Sequence, residues 1–431
     1  MIKICPKHSI QETLVFDEIG RDKSLSHRAI IFALLADTPT YIHHCLDAQD
    51  TLATLHIAHQ LGAEMQRQGH TLIITPPTSK CLASDVNLQC HNSGTTMRLY
   101  MGLLSGFDGN RFYFDGDSSL QKRPMQRIRD FLEPMGAVFA DGSTPLYPPF
   151  CLQGSKLSAL HHISPISSAQ SKSAFILAAL QAQGTSFYSE PYKSRDHSER
   201  LLLAMGAQIK ITQNTGYQLT IHPLRHKLRS LDFEIPNDPS SVFFFIVACL
   251  ISPKSHCIFT NVLLNPTRIY ALSILKQMGA NITWHTTSSQ IEEIGTIEVR
   301  SSTLSATTLN SQIAWCIDEI PALCIAFACA NGESIIRNAG ELRIKESDRL
   351  ASIAHNLQAL GIQVEEYDDG LKITGGEFQQ NAKLQSFGDH RIAMAFSLVG
   401  IKTQVWIENT ECVNISLPNF YQILEHFVEL Q

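Results

Sequence analysis

The chain repeats itself, and the repeat limits what it can fold into. Five times a helical apolar pattern ends in a hydrophobic residue and a glycine, then continues with short alternating residues: LGAEM at 61–65, MGAVF at 135–139, MGAQI at 205–209, MGANI at 278–282 and LGIQV at 360–364. The glycines at 62, 136, 206, 279 and 361 recur at roughly 70–80 residues, too long for a solenoid module. A further step reaches YQILEHFVELQ, which supplies a sixth helix. Glycine after the last helical turn is the usual left-handed cap. The residues beyond that glycine read as a hairpin, with turns at Gln68-Gly69, Asn214-Thr215-Gly216 and Asp369-Gly370 between HTLIIT, YQLTIHP and LKITGG. Each unit is therefore α/β, ending helix, strand, turn, strand. Six units predict two domains of three, with helices inside and sheets outside. The bland alternative, that "LGA" is only a frequent helix ending, does not explain the even spacing.

Composition narrows the class. A chain of 431 residues, 44% hydrophobic and 17% charged, is globular and long enough for two or three domains. Its net charge of −6 argues against a nucleic-acid or anionic-membrane footprint, so any cationic cluster must be local. Eleven cysteines with no CxxC suit a reducing compartment and free thiols. The first residues, MIKICPKHSI, lack a signal-peptide core. The longest apolar run, VFFFIVACLI at 242–251, is too short to span a bilayer. A cytoplasmic protein without membrane or nucleic-acid partners is expected.

Local cations are what the sequence does show. KSLSHRA at 23–29 runs into an apolar helix, with Ser24 as a plausible N-cap and Lys23 and Arg28 where the macrodipole favours acids. NSGTTMRL at 92–99 places Arg98 near a helix start, and KRPMQRI places Arg123 just before Pro124, a favoured first helical residue. KESDRLASIAHNLQALG at 345–361 begins with Lys345 and Arg349 at i and i+4, and GDHRIAMAF has Asp389 as N-cap and Arg391 in the first turn. One such arginine is a solvated surface charge. Five together are better explained by a shared anion, because helix N-termini offer N–H groups and arginine offers a bidentate fork for phosphate and carboxylate.

Two carboxylates stand beside these cations. Asp318, in IDEIPALCIAFACANG, reads either as an N-cap or as an acid or base at the mouth of an apolar helix. Glu346, between Lys345 and Arg349, reads either as an intrahelical ion pair or as a reacting acid. Adjacent His43-His44 and His161-His162 point in different directions, and neither HExxH nor a Cys/His spacing accompanies them, so no metal is expected. Neither GxGxxG nor a Walker loop occurs, so no nucleotide cofactor is expected.

Read in order, these motifs resemble the 3-phosphoshikimate 1-carboxyvinyltransferase (5-enolpyruvylshikimate-3-phosphate synthase) family. DKSLSHRA, LDAQDT, NSGTTMR, QKRPM, SSAQSKSA, SRDHSE, NDPSS, NPTR, IDEIPAL, LRIKESDR, GDHRIAMAF and SLPNF carry the resemblance along nearly the whole chain. It implies an α/β enolpyruvyl-transferase-like fold of six βαβαββ repeats, three per domain, with the active site in the interdomain cleft. The domains would be 23–236, on the shikimate-3-phosphate side, and 1–22 plus 237–431, carrying the catalytic carboxylates.

The implied reaction moves the carboxyvinyl group of phosphoenolpyruvate to the 5-hydroxyl of shikimate 3-phosphate and releases phosphate. It belongs to the shikimate pathway to chorismate and aromatic amino acids and uses no cofactor. The resemblance implies that Lys23, Ser24, Arg28, Ser168, Gln170, Asp318 and Lys345 bind shikimate 3-phosphate, with Ser194 a further candidate. It implies Lys23, Gly94, Arg123, Gln170, Arg349 and Arg391 for phosphoenolpyruvate. Asp318 resembles the base for the 5-hydroxyl and Glu346 the acid for the methylene carbon, with Lys23 sharing proton traffic. A monomer is expected, with glyphosate as an inhibitor.

Three departures stand out. Arg21 replaces a glycine often found two residues before the lysine, and Ile415 replaces a lysine some members carry three residues after the cysteine. SAQSK, RDHSE and NPTR resemble the glyphosate-tolerant subgroup, whereas Gly94 resembles sensitive members. The rival readings are UDP-N-acetylglucosamine 1-carboxyvinyltransferase, which has a lysine-asparagine pair where this chain has Lys23-Ser24, and a non-catalytic phospho-ligand-binding homologue.

Overall fold

A computed structural model describes residues 1–7, 13–77, 85–140, 144–213 and 216–431. It divides the chain into two compact units, Met1–Asp22 with Pro236–Gln431, and Lys23–Ile235. The division falls one residue before the boundary drawn from sequence.

The chain begins in the first unit with β1 (Ile2–Pro6) and β2 (Thr13–Phe16). The second unit opens with α1 (Lys23–Ala33), β3 (Thr40–His43), α2 (Gln49–Gln60), β4 (Glu64–Gln68) and β5 (Thr71–Thr75). Its next repeat is β6 (Asp85–Gln89), α3 (Gly94–Leu104), β7 (Arg111–Asp115), α4 (Gln126–Met135), β8 (Val138–Ala140) and β9 (Phe150–Gln153). Then come β10 (His161–Ile163), α5 (Ala169–Ala179), β11 (Ser186–Glu190), α6 (His197–Ala204), β12 (Ile209–Thr212) and β13 (Tyr217–Ile221). Finally β14 (Asp232–Glu234) pairs in parallel with β3 and completes the unit's first sheet.

Back in the first unit, α7 (Pro239–Ile251), β15 (His256–Leu263), α8 (Tyr270–Gln277), β16 (Asn281–Ser288) and β17 (Ile294–Arg300) join β2. The following repeat holds β18 (Thr308–Leu309), α9 (Ile313–Cys316), α10 (Ile320–Ala328), β19 (Glu333–Ile336), α11 (Arg349–Ala359), β20 (Gln363–Tyr367) and β21 (Gly370–Thr374). The last holds β22 (Ala382–Gln385), α12 (His390–Ser397), β23 (Val405–Glu408), α13 (Phe420–Leu424) and β24 (Val428–Leu430), with β1 pairing between β23 and β24.

Among the described residues there are six sheets of four strands with one pairing pattern, a parallel pair at one edge and antiparallel neighbours beyond it, as in β6-β7-β9-β8, although in three sheets strands far apart in the chain complete the pattern. The crossover helices are apolar almost all round. Every residue of α10 is buried, as is every residue of α7 except Ser241. Such helices form the inside of a unit. In the second unit α3 lies close against α5, because a Cβ on Gly102 would stand 2.2 Å from the Ala174 carbonyl oxygen. The helices before each hairpin bury one face, as α4 and α8 do. All five repeat glycines have the left-handed φ that a helix-ending glycine permits, from 78° at Gly361 to 113° at Gly136.

Several local readings need correction. The hairpin turns fall one residue later or earlier than read, at Gly69-His70 and Asp368-Asp369, because strand pairing sets the register. The Asn214-Thr215 turn and residues 8–12 lie outside the described residues. Ser24 is inside α1 rather than capping it, and α4 begins at Gln126, two residues beyond Pro124. Arg98 is the fifth residue of α3, and Lys345 precedes α11, so it is not an i, i+4 neighbour of Arg349 on a helix. Among the described residues no helix is long and apolar enough to cross a membrane.

Candidate active site

In the second unit the polar side chains gather at the starts of the three crossover helices. Lys23 opens α1, and its ammonium lies 3.0 Å from the Asp50 carboxylate in the first turn of α2. That carboxylate offsets the penalty of a cation at a helix N-terminus. Arg28 is buried and joins three elements. It donates to the Ser24 carbonyl at 2.9 Å, to Ser173 Oγ of α5 at 2.9 Å and to Ser198 Oγ of α6 at 2.8 Å.

Ser93 caps α3 by accepting the Thr96 N–H, and Gly94 follows as the first helical residue. A Cβ at Gly94 would lie 3.0 Å from Arg98 Nη1 and 3.7 Å from Arg123 Nη1. Only glycine leaves that space open. Arg123 donates to Asn92 Oδ1 and Ser119 Oγ, each at 3.1 Å. Ser168 caps α5 through the Ser171 N–H. Gln170 accepts from Arg98 and donates to Thr95 Oγ1 at 2.9 Å. Gly94, Arg98, Arg123 and Gln170 are thus contiguous.

A chain of short hydrogen bonds ties this group to α1. His27 Nδ1 is 2.6 Å from Thr54 Oγ1, Thr54 is 2.7 Å from Thr96, and Thr96 donates to Ser93 at 2.6 Å. Burial pushes the His27 pKa down to about 3, with Asp50 opposing and Lys23 and Arg28 adding to the shift, so the imidazole is neutral.

The first unit builds a different group. Asp389 caps α12 by accepting the Arg391 N–H at 2.9 Å, and it also accepts Arg349 Nε at 2.7 Å. Arg349, the first residue of α11, is buried and donates through Nη2 to Glu346 Oε2 at 2.6 Å. Among the described residues its Nη1 has no hydrogen-bond partner, and it lies 3.7 Å from Asp318 Oδ1. Arg391 reaches the same carboxylate oxygen with Nε at 3.7 Å and donates through Nη1 to the Asp318 carbonyl at 2.9 Å. Burial works against the charge on Arg349, but Asp389 and Glu346 more than offset it and hold its pKa above the ordinary arginine value. Lys345 is shifted the other way: burial and Arg349 lower its pKa, against Asp318 and Glu346.

The structure shows where each of the two carboxylates stands. Asp318 sits in the turn before α10, and Glu319, not Asp318, holds the N-cap position. Glu346 does pair with Arg349, but from the segment before α11 rather than within it. Arg98 and Asp50 were legible only as a helix-start arginine and as part of LDAQDT; their contacts with Gln170 and Lys23 come from non-local packing. Among the described residues no group of three or more His, Cys, Asp or Glu is placed to hold a metal ion.

The two groups differ in chemistry. In the second unit Lys23, Arg28, Arg98 and Arg123 gather with Asp50, a largely cationic group suited to anions. In the first, Asp318, Glu346 and Asp389 alternate with Arg349, Arg391 and Lys345, an arrangement that can hold an anion and move a proton.

Comparison with known proteins gives matches along nearly the whole chain. Residues 10–424 match the family model for EPSP synthase (3-phosphoshikimate 1-carboxyvinyltransferase). The chain is 46% identical to the 3-phosphoshikimate 1-carboxyvinyltransferase of Wolinella succinogenes, covering 96% of this chain and 94% of the relative. It is 48% identical to that of Campylobacter concisus, covering 96% and 95%. A solved EPSP synthase from Acinetobacter baumannii superposes with a TM-score of 0.86 at 33% identity, over 100% of this chain and 99% of the other. The enolpyruvyl transferase NikO from Streptomyces tendae, at 16% identity and TM-score 0.77 over 100% and 98%, shares the fold.

Proposed function

This chain belongs to the EPSP synthase family, and from that premise we propose how its two groups of side chains divide the work. The enzyme is a 3-phosphoshikimate 1-carboxyvinyltransferase: it transfers the carboxyvinyl group of phosphoenolpyruvate to the 5-hydroxyl of shikimate 3-phosphate and releases phosphate. Both substrates are phosphorylated carboxylates, which is the physical reason for so many cations at helix starts.

In this reading Lys23, Ser24, Arg28, Ser168 and Gln170 hold shikimate 3-phosphate. Gly94, Arg123, Arg349 and Arg391 hold phosphoenolpyruvate, aided by Lys23 and Gln170, and Arg98 joins them because it shares Gln170. Asp318 and Lys345 serve the acceptor's 5-hydroxyl. In the addition step Glu346 gives a proton to the methylene carbon, the 5-hydroxyl oxygen bonds to the adjacent carbon, and Asp318 takes the hydroxyl proton. In the elimination step the Glu346 carboxylate takes a proton from the new methyl group, the carbon–oxygen bond to phosphate breaks, and phosphate leaves carrying the proton that Asp318 took from the hydroxyl, which returns both carboxyl groups to their starting states. The fixed arginines need no reorganisation as charge shifts.

The ion pair between Glu346 and Arg349 favours the ionised carboxylate. An anionic group of phosphoenolpyruvate placed on Arg349 would weaken that preference and so help Glu346 to carry the proton it donates. The unbonded Nη1 of Arg349 is the donor left for that substrate. Glyphosate, a phosphonate that also carries a carboxylate, would compete for the same arginines, and a monomer would suffice for the reaction.

The observation that carries the assignment is the Asp318 carboxylate held 3.7 Å from both Arg349 and Arg391. Purified protein should release phosphate from phosphoenolpyruvate with shikimate 3-phosphate as acceptor and not with UDP-N-acetylglucosamine. Asp318→Ala should lower kcat by about a hundredfold or more while the acceptor still binds. Near-wild-type turnover in that variant would remove Asp318 from the scheme.

A further inference from the structure

A second buried ion cluster lies in the second unit, and the reaction as described makes no use of it. Lys172 is on α5, four residues after Ser168 and two after Gln170. Its ammonium lies 3.0 Å from Glu190 Oε1 and 2.8 Å from Glu199 Oε1, all three side chains being sealed from solvent. It also donates to the Ser194 carbonyl at 3.1 Å and stands 4.5 Å from the centre of the Tyr217 ring, whose hydroxyl donates to Glu199 at 3.1 Å. Glu190 accepts the Ser194 N–H at 2.7 Å and its hydroxyl at 2.8 Å.

One ammonium for two carboxylates is a poor way to hold a core, since well-packed apolar groups stabilise as well or better. What the cluster does achieve is positional. It fastens residues 191–196, between β11 and α6, to α5 just beyond its capped start. A second fastening lies next to it: the Ser167 hydroxyl donates to the Tyr192 carbonyl at 2.5 Å and accepts its N–H at 3.1 Å.

We infer that Lys172 is a positioning residue for the phosphorylated acceptor, holding the segment that carries Ser194 against the Ser168 and Gln170 end of α5. The inference rests on the acceptor reading of Ser168 and Gln170 under the proposed function. Its consequence is selective: losing the fastening weakens shikimate 3-phosphate and leaves phosphoenolpyruvate alone.

The full-length chain is titrated calorimetrically with shikimate 3-phosphate, and both KM values are measured with the second substrate saturating. Lys172→Met leaves two unpaired buried carboxylates and risks unfolding, so the deciding variant is Lys172→Met/Glu199→Gln, which keeps the cluster's formal charge. It should bind the acceptor about tenfold more weakly and raise that KM alike, with the KM for phosphoenolpyruvate within about twofold of wild type. Glu199→Gln alone keeps Lys172 on Ser194 and Glu190, and its acceptor affinity should stay within about twofold of wild type. Unchanged acceptor affinity in the double variant, or equal rises in both KM values, overturns the inference. Failure of the wild-type protein to bind shikimate 3-phosphate would instead overturn the acceptor reading beneath it.

Discussion

His27 occupies one turn of α1 beyond Lys23 and is fully buried, so its protonation is a stability question before it is a chemical one. Its folded pKa, about 3, lies below the 6.5 of an exposed imidazole, so the unfolded chain takes up the proton first as pH falls. The stabilisation is complete above the unfolded pKa and is lost as pH drops toward the folded one, at about 1.4 kcal/mol per pH unit. From about pH 7 to about pH 4 the wild type should therefore lose about 3 kcal/mol more unfolding free energy than His27→Asn, which keeps a polar partner for Thr54 but cannot titrate. Urea midpoints at the two pH values measure it. Equal losses in the two proteins would mean that His27 is not a buried neutral group. None of this was readable from KSLSHRA, because the burial and the Thr54-Thr96-Ser93 chain come from α2 and α3 packing on α1.

In the first unit the starts of α7 and α10 are linked through one side chain. Arg268, wholly buried, donates to Asp22 at 2.6 Å, to the α7 cap Asp238 at 2.7 Å and to Ser240 Oγ at 3.1 Å. Ser240 in turn donates to Glu319, the residue at the α10 start beside Asp318. Burial alone would lower the Arg268 pKa, and Asp22, Asp238 and Glu319 reverse that. Arg268→Met should remove about 3–5 kcal/mol of stability by stranding these carboxylates, and kcat should fall with it because the α10 start carries Asp318. Denaturant titration and turnover check both, and a stability loss with full kcat would detach the cluster from Asp318. The sequence showed helix ends better than helix partners. The five glycines and Asp389 act through local backbone geometry, so their roles could be read without a fold. The hairpin turns were misplaced by one residue because the pairing of β4 with β5 and of β20 with β21 sets their register, and α4 begins two residues beyond the proline expected to open it. NPTR was visible only as part of a resemblance; nothing local says that its arginine meets Asp22 and Asp238.

At the scale of the whole molecule, the six repeats were visible, but which distant strand completes a sheet was not. β14 closes the first sheet of Lys23–Ile235, so that continuous stretch contains three whole sheets and its own inner helices. The other unit is discontinuous. β1 lies between β23 and β24, and its buried Ile4 fits against Gly400, where a Cβ would stand 2.2 Å from the Ile4 side chain. β2 pairs with β15 in a second sheet. The Asp22 N–H donates to the Pro236 carbonyl at 2.8 Å, so the two pieces of this unit meet in space. Residues 23–235 expressed alone should therefore unfold cooperatively, whereas 236–431 alone, with a central strand missing from one sheet and an edge strand from another, should not. Joining 1–22 directly to 236–431 should restore the cooperative transition, since those ends already share a hydrogen bond. Far-UV circular dichroism through a urea titration distinguishes the three proteins. A cooperative 236–431 fragment would show that the amino-terminal strands are dispensable, and a non-cooperative 23–235 fragment would show that its three sheets do not suffice for independent folding.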